Sequence, residues 1–163
     1  MSSTIKIYQI NNKYSEQIIN LILPIQQIEF NVPVTLEDQP DLLNIESFYQ
    51  QGGGNFWGAK YNDELVGTIA LINTGHKACA LRKMFVKKEF RGNEFGIAQL
   101  LLDKFIQFCR DNDITDIYLG TVDILKAACR FYEKNGFTEI KMASLPEYFP
   151  RMAADNKFYH LAF

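Results

Sequence analysis

Residues 81–98, LRKMFVKKEFRGNEFGIA, decide the fold of this 163-residue chain. They begin as a β-strand, pass through a compact turn that contains Gly92 and Gly96, and open a helix. Backbone N–H groups at the start of a helix are unpaired, and the helix dipole adds about half a positive charge there, so such a junction binds anions. The spacing alone is also compatible with a glycine turn that holds no ligand. The stretch therefore predicts a strand-to-helix turn with phosphate binding as its candidate function.

The segment after this turn alternates helices and strands. Between residues 95 and 109 apolar residues recur at three- and four-residue spacing, which predicts a long helix ending near Asp111. A short buried strand follows at residues 117–119, and a second helix runs past Tyr132 to a left-handed cap at Gly136. This order of strands and helices predicts parallel neighbouring strands joined by right-handed crossovers.

The first half of the chain predicts an antiparallel meander. Two β-rich runs, residues 56–61 and 64–72, flank the polar pair Asn62 and Asp63, which is a hairpin signal, and a third strand is expected at residues 78–86. The remaining predicted elements are a first strand at residues 5–10, a helix from Ser15 that Pro24 interrupts, a short helix at 40–49, and two last strands near 137–142 and 158–163.

The composition bounds the class of protein. With 47% hydrophobic residues, 22% charged residues and a formal net charge of −2, the chain is expected to form one soluble domain over residues 1–163. Lys and Arg form no long basic face, so no nucleic-acid partner is expected. The N-terminus does not resemble a signal peptide, and no apolar run reaches the about 18–20 residues that cross a bilayer. Three cysteines, an odd number, favour reduced, buried thiols and a cytoplasmic location, with Cys79 as the one candidate for a thiol that faces a site.

Two blocks of the sequence carry a family resemblance. Residues 91–98, RGNEFGIA, resemble the pyrophosphate-binding motif Gln/Arg-x-x-Gly-x-Gly/Ala of the GCN5-related N-acetyltransferase (GNAT) superfamily. Residues 128–137, ACRFYEKNGF, are similar to the same family's Ala-x-x-Phe/Leu-Tyr-x-x-x-Gly-Phe segment, and the distance between the blocks suits one helix and one strand. The resemblance implies an α/β (α+β) fold, a mixed and mostly antiparallel sheet of about six to seven strands flanked by about four helices.

The resemblance also implies an activity. It points to transfer of an acetyl group from acetyl-CoA to a primary amine of a small molecule or peptide, by direct attack in a ternary complex and without a metal. A homodimer is one of the expected assemblies. The residues that the resemblance assigns to the cofactor are Met84, Phe85, Val86, Arg91, Gly92, Asn93, Glu94, Phe95, Gly96, Ile97 and Ala98.

Two departures from the family pattern leave a second reading open. Glu94 stands where the motif has its first glycine, which places a carboxylate near the expected pyrophosphate. Leu125 stands where many relatives carry an asparagine that contacts the cofactor. A non-catalytic CoA-binding or regulatory module of the same fold is therefore the alternative to an enzyme.

The chemistry of acetyl transfer asks for proton-handling groups. A free alkyl amine has a pKa near 10.4, so forming the nucleophile at pH 7 costs about 4–5 kcal/mol and a base must help. We expect Glu29, after the first helix, to be that base, with a water chain or a plain surface glutamate as alternatives. Tyr132 matches the family's acid for the leaving thiolate, with a core tyrosine as the alternative reading.

Other polar residues have weaker readings. His76 and His160 have no partners at metal-ligand spacing and are expected to lie at the surface or to pack. Residues 148–152, which include Met152, form a loop that either reaches the acceptor pocket or packs on the domain.

Overall fold

The computed structural model of the chain describes residues 5–92 and 94–163. Within these ranges the chain forms a seven-stranded mixed sheet with helices on both faces, so the predicted fold class is confirmed. No helix of the described ranges is long and apolar enough to span a bilayer. The elements are β1 (Ile5–Gln9), α1 (Ser15–Pro24), β2 (Asn55–Tyr61), β3 (Glu64–Gly75), β4 (Ala78–Val86), α2 (Ile97–Asp111), β5 (Asp116–Thr121), α3 (Lys126–Lys134), β6 (Thr138–Ile140) and β7 (Lys157–Ala162).

The sheet has the strand order β1-β2-β3-β4-β5-β7-β6. Every neighbouring pair is antiparallel except β4 and β5, which are parallel, as the helix between them predicts. The prediction that the next strand, β6, would also lie beside β5 is wrong. β7 lies between them, because its six residues pair with the whole of β5 whereas β6 offers only three paired residues.

Local sequence signals set several turns. Asn62 and Asp63 have φ angles of 48° and 71°, the left-handed geometry of a tight hairpin turn, and they connect β2 to β3 as predicted. Gly136 has φ 92° after α3, so the predicted left-handed cap is also present.

Two predicted helices differ from the structure. Pro24 does not interrupt α1 but is its last residue, since its φ of −61° is compatible with the helix; a π-helical turn, Ile25–Glu29, follows it. The predicted helix at residues 40–49 is replaced by a 3-10 turn, Pro40–Leu43, and a π-helical turn, Glu46–Gln50. Asn44 separates these turns because its backbone, with φ −137° and ψ 49°, leaves the helical region.

The sheet carries a hydrophobic core on each face. α2 and α3 pack on one face, around residues such as Phe105, and α1 packs on the other with Tyr49. Cys79 lies in the first core, fully buried, with its Sγ 3.8 Å from that of Cys109. The candidate for a site-facing thiol, Cys79, is therefore a core residue instead.

The strands β4 and β5 diverge, and the site begins where they separate. Only Ala78, Cys79 and Ala80 of β4 pair with β5, although both strands continue beyond this point. Lys83 is an extra residue in β4 relative to β3, with φ 55°, and its carbonyl accepts a hydrogen bond of 2.7 Å from the Thr68 hydroxyl. Such a bulge bends the strand, so it helps to open a cleft between the two parallel strands.

Candidate active site

The cleft between β4 and β5 is walled by five parts of the chain. β4 and β5 form its two sides, the start of α3 closes one end, and the segments after α1 and before β7 cover the face opposite α2. Residues from each of these parts line the cleft, among them Val34, Arg82, Phe85, Gly120, Tyr132 and Asp155.

The turn at residues 91–96 leads from β4 to α2. Gly92 has φ 113° and Gly96 has φ 63°, conformations that favour glycine, so the two predicted glycines are required by the backbone itself. The first hydrogen bond of α2 runs from the Leu100 amide to the Gly96 carbonyl, so the amides of residues 97–99 lack helical partners. Among hydrogen bonds between described residues, the amides of Glu94 and Phe95 also donate to no backbone carbonyl. Among the described residues, the turn thus presents several amides without a backbone partner at the start of a helix.

The side chains of this turn point in different directions. Phe95 packs on the rings of Tyr61 and Phe90, and Ile97 is buried in the core, so these two predicted cofactor residues offer only their amides. Ala98 is half-buried, and Glu94 is exposed. Because the Glu94 carboxylate lies in solvent, its repulsion of a bound diphosphate is screened. Asn93 lies outside the described residues.

The cleft side of β4 carries three other predicted cofactor residues. Beyond Ala80 this edge has no strand partner among the described residues, so the amides on the side away from β3 face the gap. Met84 and Phe85 line the cleft, and Val86 ends the strand. The edge can therefore hold an extended ligand as a strand holds its neighbour, and it offers N–H groups to a carbonyl oxygen.

Arg91 is already bound to other groups of the protein, so its charge is not freely available to a phosphate. Both of its terminal nitrogens bind the Glu29 carboxylate, and its Nε donates a 2.8 Å hydrogen bond to the Val86 carbonyl. The guanidinium also lies 5.7 Å from the centre of the Phe30 ring. Glu29 and Arg91, predicted as base and as phosphate ligand, are thus brought together as an ion pair.

Glu29 lies outside the cleft that holds Tyr132. Its carboxylate borders a separate surface groove formed by α1, the β2–β3 turn and residues 87–89. Hydrogen bonding and the positive charge of Arg91 lower the pKa of Glu29, which makes its carboxylate a weaker proton acceptor. This arrangement does not favour Glu29 as the general base.

Tyr132 reaches the cleft from α3. It is 4% exposed and packs against the rings of Phe131, Phe137 and Tyr159. Burial raises the pKa of its phenol well above the usual value, so the hydroxyl stays protonated. Within the described ranges, no other group is hydrogen bonded to it. Tyr132 is therefore both a core residue and a free hydrogen-bond donor at the cleft.

Leu125 precedes α3 and lines the cleft. An apolar side chain here supplies packing but no hydrogen bond to a ligand. The asparagine contact that the resemblance implies is accordingly missing at this position.

Sequence reasoning missed three charged residues at the cleft: Arg82, Lys83 and Asp155. Burial lowers the pKa of Lys83 to about 8, and burial raises that of Asp155 to about 6 despite the nearby positive charges of Arg82 and Lys83. Two adjacent cations within a buried strand are a signal that the sequence does offer. Asp155, in an irregular loop, has no comparable signal.

The remaining candidates lie elsewhere. His76 stacks on Tyr148 with ring centres 4.2 Å apart, and His160 pairs with Asp116 at 2.8 Å, which agrees with surface and packing roles. The described residues contain no group of three or more His, Cys, Asp or Glu side chains arranged to hold a metal ion. Met152 reaches the cleft, as one of the two readings of its loop predicts.

Two solved structures are similar to the chain over nearly their whole length. An acetyltransferase of the GNAT family from Staphylococcus aureus Mu50 is 46% identical, with 98% of this chain and 99% of that chain covered and a TM-score of 0.94. An acetyltransferase from Streptococcus agalactiae is 32% identical, with 99% and 98% covered and a TM-score of 0.91. The fold is thus shared with experimentally determined acetyltransferases.

A curated relative gives a partial match. N-acetyltransferase family 8 member 2 of Rattus norvegicus is 33% identical over 104 residues, which are 61% of this chain and 45% of the relative, so the chain spans less than half of that protein's length. The model of the acetyltransferase (GNAT) family matches residues 18–137, which contain the glycine turn, both diverging strands and Tyr132. The chain belongs to the GNAT acetyltransferase family.

Proposed function

We propose that the protein is an N-acetyltransferase that moves the acetyl group of acetyl-CoA to a primary amine in the cleft between β4 and β5. The observation that carries this proposal is the continuity of the site. Free amides at the Gly92–Gly96 turn adjoin the unpaired edge of β4, and this edge leads to the hydroxyl of Tyr132.

The donor side of the cleft fits a nucleotide thioester. The amides at the turn and at the start of α2 would hold the diphosphate, with the helix dipole adding positive charge. Met84 and Phe85 on the β4 edge would hold the extended arm of CoA that carries the thioester, and Tyr132 would lie near the thioester sulfur. Arg91 would contribute charge only to the extent that Glu29 releases it.

The reaction needs no covalent enzyme intermediate. Acetyl-CoA supplies a thioester whose carbonyl carbon the amine nitrogen attacks; the C–N bond forms and the C–S bond breaks. The nitrogen loses one proton to a base, and the sulfur leaves as a thiolate. An amide of the open β4 edge next to Phe85 would stabilise the oxyanion of the attack.

Tyr132 would act mainly as a hydrogen-bond donor to the leaving sulfur. A thiol has a pKa near 8.5 and a phenol near 10, so full proton transfer from Tyr132 is uphill even before burial raises its pKa. A donated hydrogen bond stabilises the thiolate without that cost, and solvent can complete the protonation.

Location and assembly are part of the proposal. The three cysteines are free and buried, which supports a reducing, cytoplasmic setting. A homodimer stays a prediction, which sedimentation of the purified protein can test.

The proposal is tested by calorimetry of CoA binding together with thiol release from acetyl-CoA in a panel of polyamines, amino acids, aminoglycosides and peptides. We expect CoA to bind and at least one amine to release thiol above the amine-free rate. Binding without turnover for any amine would favour the non-catalytic module instead. Absence of CoA binding would contradict the donor site.

A matched pair of glycine variants tests the donor turn. Gly92 and Gly75 both have left-handed φ angles, 113° and 76°, and a Cβ at either would meet open space. Gly75 lies at the opposite end of β4 from the turn. Gly92→Val should weaken CoA binding about tenfold, the size of one lost hydrogen bond to a charged group, and Gly75→Val should not. Equal effects of the two variants would show strain rather than a ligand site.

A further inference from the structure

The acceptor side of the cleft holds two cations with different surroundings. The bulge at Lys83 interrupts the alternation of β4, so that Lys83 follows Arg82 without the usual change of face: Lys83 contacts Gln39 and Arg82 contacts Met152, both outside the α2 face of the sheet. The two side chains are therefore neighbours on the face that the segments after α1 and before β7 cover.

Lys83 already has partners that satisfy its charge. Its Nζ donates a 2.5 Å hydrogen bond to Oε1 of Gln39 and lies 3.7 Å from Oδ2 of Asp41. The Tyr49 hydroxyl donates to the same Asp41 oxygen at 2.5 Å, which holds the carboxylate in place. Lys83 and Asp41 form a buried, neutralised pair and leave no free cation for a ligand.

Arg82 has no such partner. Its Nη2 contacts the Met152 sulfur at 2.6 Å, and none of the ion pairs between described residues includes it. A thioether is a weak acceptor, and a half-buried guanidinium has five N–H donors to satisfy. The geometry of a guanidinium matches that of a carboxylate, which can bind it through two parallel hydrogen bonds.

Asp155 faces the same space from the other side. The Asp155 amide donates to the Met152 carbonyl at 3.1 Å, so the carboxyl belongs to the turn that Arg82 contacts. Its Oδ2 lies over Gly120 of β5, where a Cβ would be only 2.5 Å away. Among the described residues no hydrogen bond or ion pair engages this carboxyl. Burial raises its pKa to about 6, which suits a base that works near neutral pH.

On the basis of the proposed acetyl transfer, we propose that the acceptor is a small amine that also carries a carboxylate, as a free amino acid does, with Arg82 binding the carboxylate and Asp155 taking the proton of the amine. An amino acid presents both charges within a few bonds, which matches a cation on β4 and a carboxyl on the turn that this cation contacts. Polyamines and aminoglycosides have no anionic group for Arg82, so its guanidinium would stay without a charged partner when they bind.

The proton balance follows from these positions. The ammonium of the acceptor gives one proton to the Asp155 carboxylate, which becomes a carboxylic acid, and the neutral nitrogen then attacks the thioester carbon. The second proton lost by nitrogen on amide formation leaves with the thiolate sulfur as a thiol or passes to solvent. Asp155 returns its proton to solvent after product release, so the enzyme is regenerated.

The test compares each amino acid with its C-terminal amide and with the amine that lacks the carboxyl group. Thiol release is measured with the wild-type protein, Arg82→Gln and, as a control, Arg110→Gln, an exposed position on α2. We expect the wild type to prefer the carboxylate form at least about tenfold in kcat/KM, the size of a charged hydrogen-bonded contact. Arg82→Gln should remove this preference by slowing the carboxylate form alone, and Arg110→Gln should leave it unchanged.

Two results would overturn the inference while leaving acetyl transfer intact. One is a wild-type protein that uses amides or simple amines as well as amino acids, and the other is an Arg82→Gln variant that slows all acceptors equally. If no acceptor releases thiol, the proposed function fails, and ligand-observed NMR with CoA present still decides the recognition step. Amino acids must then bind the wild type and not Arg82→Gln, or the acceptor assignment fails as well.

Discussion

Arg91 binds the Glu29 carboxylate with both terminal nitrogens, Nη2 lying 2.8 Å from Oε1, while its Nε donates to the Val86 carbonyl. This ion pair joins the turn after α1 to the turn that precedes α2. Both residues were predicted to belong to the site. A bound diphosphate would have to compete with the Glu29 carboxylate for the Arg91 guanidinium. The ion pair therefore links two turns of the chain, and it favours a structural role for Glu29 over that of a separate base.

Glu29→Gln distinguishes a structural role of Glu29, as the ion-pair partner of Arg91, from the role of a catalytic base. The change keeps the size of the side chain and frees the charge of Arg91, so KM for acetyl-CoA should fall while kcat stays within about threefold, since no proton-transfer group is lost. The free energy of unfolding should fall by no more than about 1 kcal/mol, as is typical of a partly exposed ion pair. Steady-state kinetics and urea unfolding measure the two effects.

Glu16→Gln, at an exposed position in the first turn of α1, is the matched control and should change neither constant. A loss of turnover by about two orders of magnitude in Glu29→Gln alone would restore Glu29 as the base.

The part of the site that could be predicted is the part that local sequence encodes. Gly92 and Gly96 could be predicted because their left-handed backbone needs glycine at fixed positions before a helix. Tyr132 could be predicted because it lies in a helical pattern within residues 128–137, the second block that resembles the family. For the same reason the hairpin at Asn62 and Asp63 was predictable from its two residues.

The charged residues of the cleft, Arg82, Lys83 and Asp155, were not predictable because their arrangement depends on contacts between distant segments. Arg82 and Asp155 are 73 positions apart in the numbering, and they meet through a turn whose sequence carries no regular pattern. The extra residue at Lys83 is visible only in the register against β3. Likewise, the insertion of β7 beside β5 is a choice among long-range pairings that the order of strands and helices alone does not settle.

Tyr132→Phe tests the hydrogen bond to the leaving sulfur. Removing the hydroxyl should slow turnover by about 10–100-fold, as is typical of losing one group that handles proton or charge transfer. KM for acetyl-CoA should change little, because the ring still fills its place among Phe131, Phe137 and Tyr159. Thiol release under saturating acceptor measures the turnover rate.

Tyr118→Phe is the control for this loss of a hydroxyl. Tyr118 stacks on His160 with ring centres 4.4 Å apart and does not line the cleft, so its variant should keep full activity. A Tyr132→Phe enzyme as active as Tyr118→Phe would remove the phenol from the mechanism and leave Tyr132 as a core residue.

The pH dependence of activity should report Asp155. Burial raises its pKa to about 6, against the opposing charges of Arg82 and Lys83, so the carboxyl is protonated and unable to accept a proton below that pH. We expect kcat/KM to fall about tenfold per pH unit below pH 6, in addition to the dependence set by the amine itself. Asp155→Asn should be slow at every pH and lack this limb.

The same ionisation should affect stability with a defined sign. The folded protein holds the Asp155 proton to a higher pH than the unfolded chain, whose carboxyl titrates near 3.8. This contribution to stability is complete below pH 3.8 and is lost as the pH rises through 6. The stability difference between wild type and Asp155→Asn should therefore shift against the wild type between pH 4 and pH 6; a constant difference would contradict the raised pKa.

The buried ion pair of Lys83 and Asp41 allows a double-mutant test of how the two charges stabilise each other. Their side chains are only 4% and 6% exposed, so removing one charge leaves the other buried without its ion-pair partner. Asp41→Asn and Lys83→Met should each cost about 3–5 kcal/mol of unfolding free energy, and the double variant should cost less than the sum. Additive losses in urea unfolding would show that the two charges do not stabilise each other.

The lowered pKa of Lys83 also predicts a rise in stability at alkaline pH. Burial lowers its pKa from 10.5 to about 8 in the folded protein, so between these values the unfolded chain binds the proton that the folded chain has released. Stability therefore increases with pH across this window, by on the order of 3 kcal/mol for this group alone. Below pH 8 Lys83 is charged in both the folded and the unfolded protein, so the full cost of burying its ammonium group is present. Lys83→Met lacks this dependence, so the stability of the wild type should gain on that of the variant between pH 8 and pH 10; parallel curves would mean that Lys83 keeps an ordinary pKa in the fold.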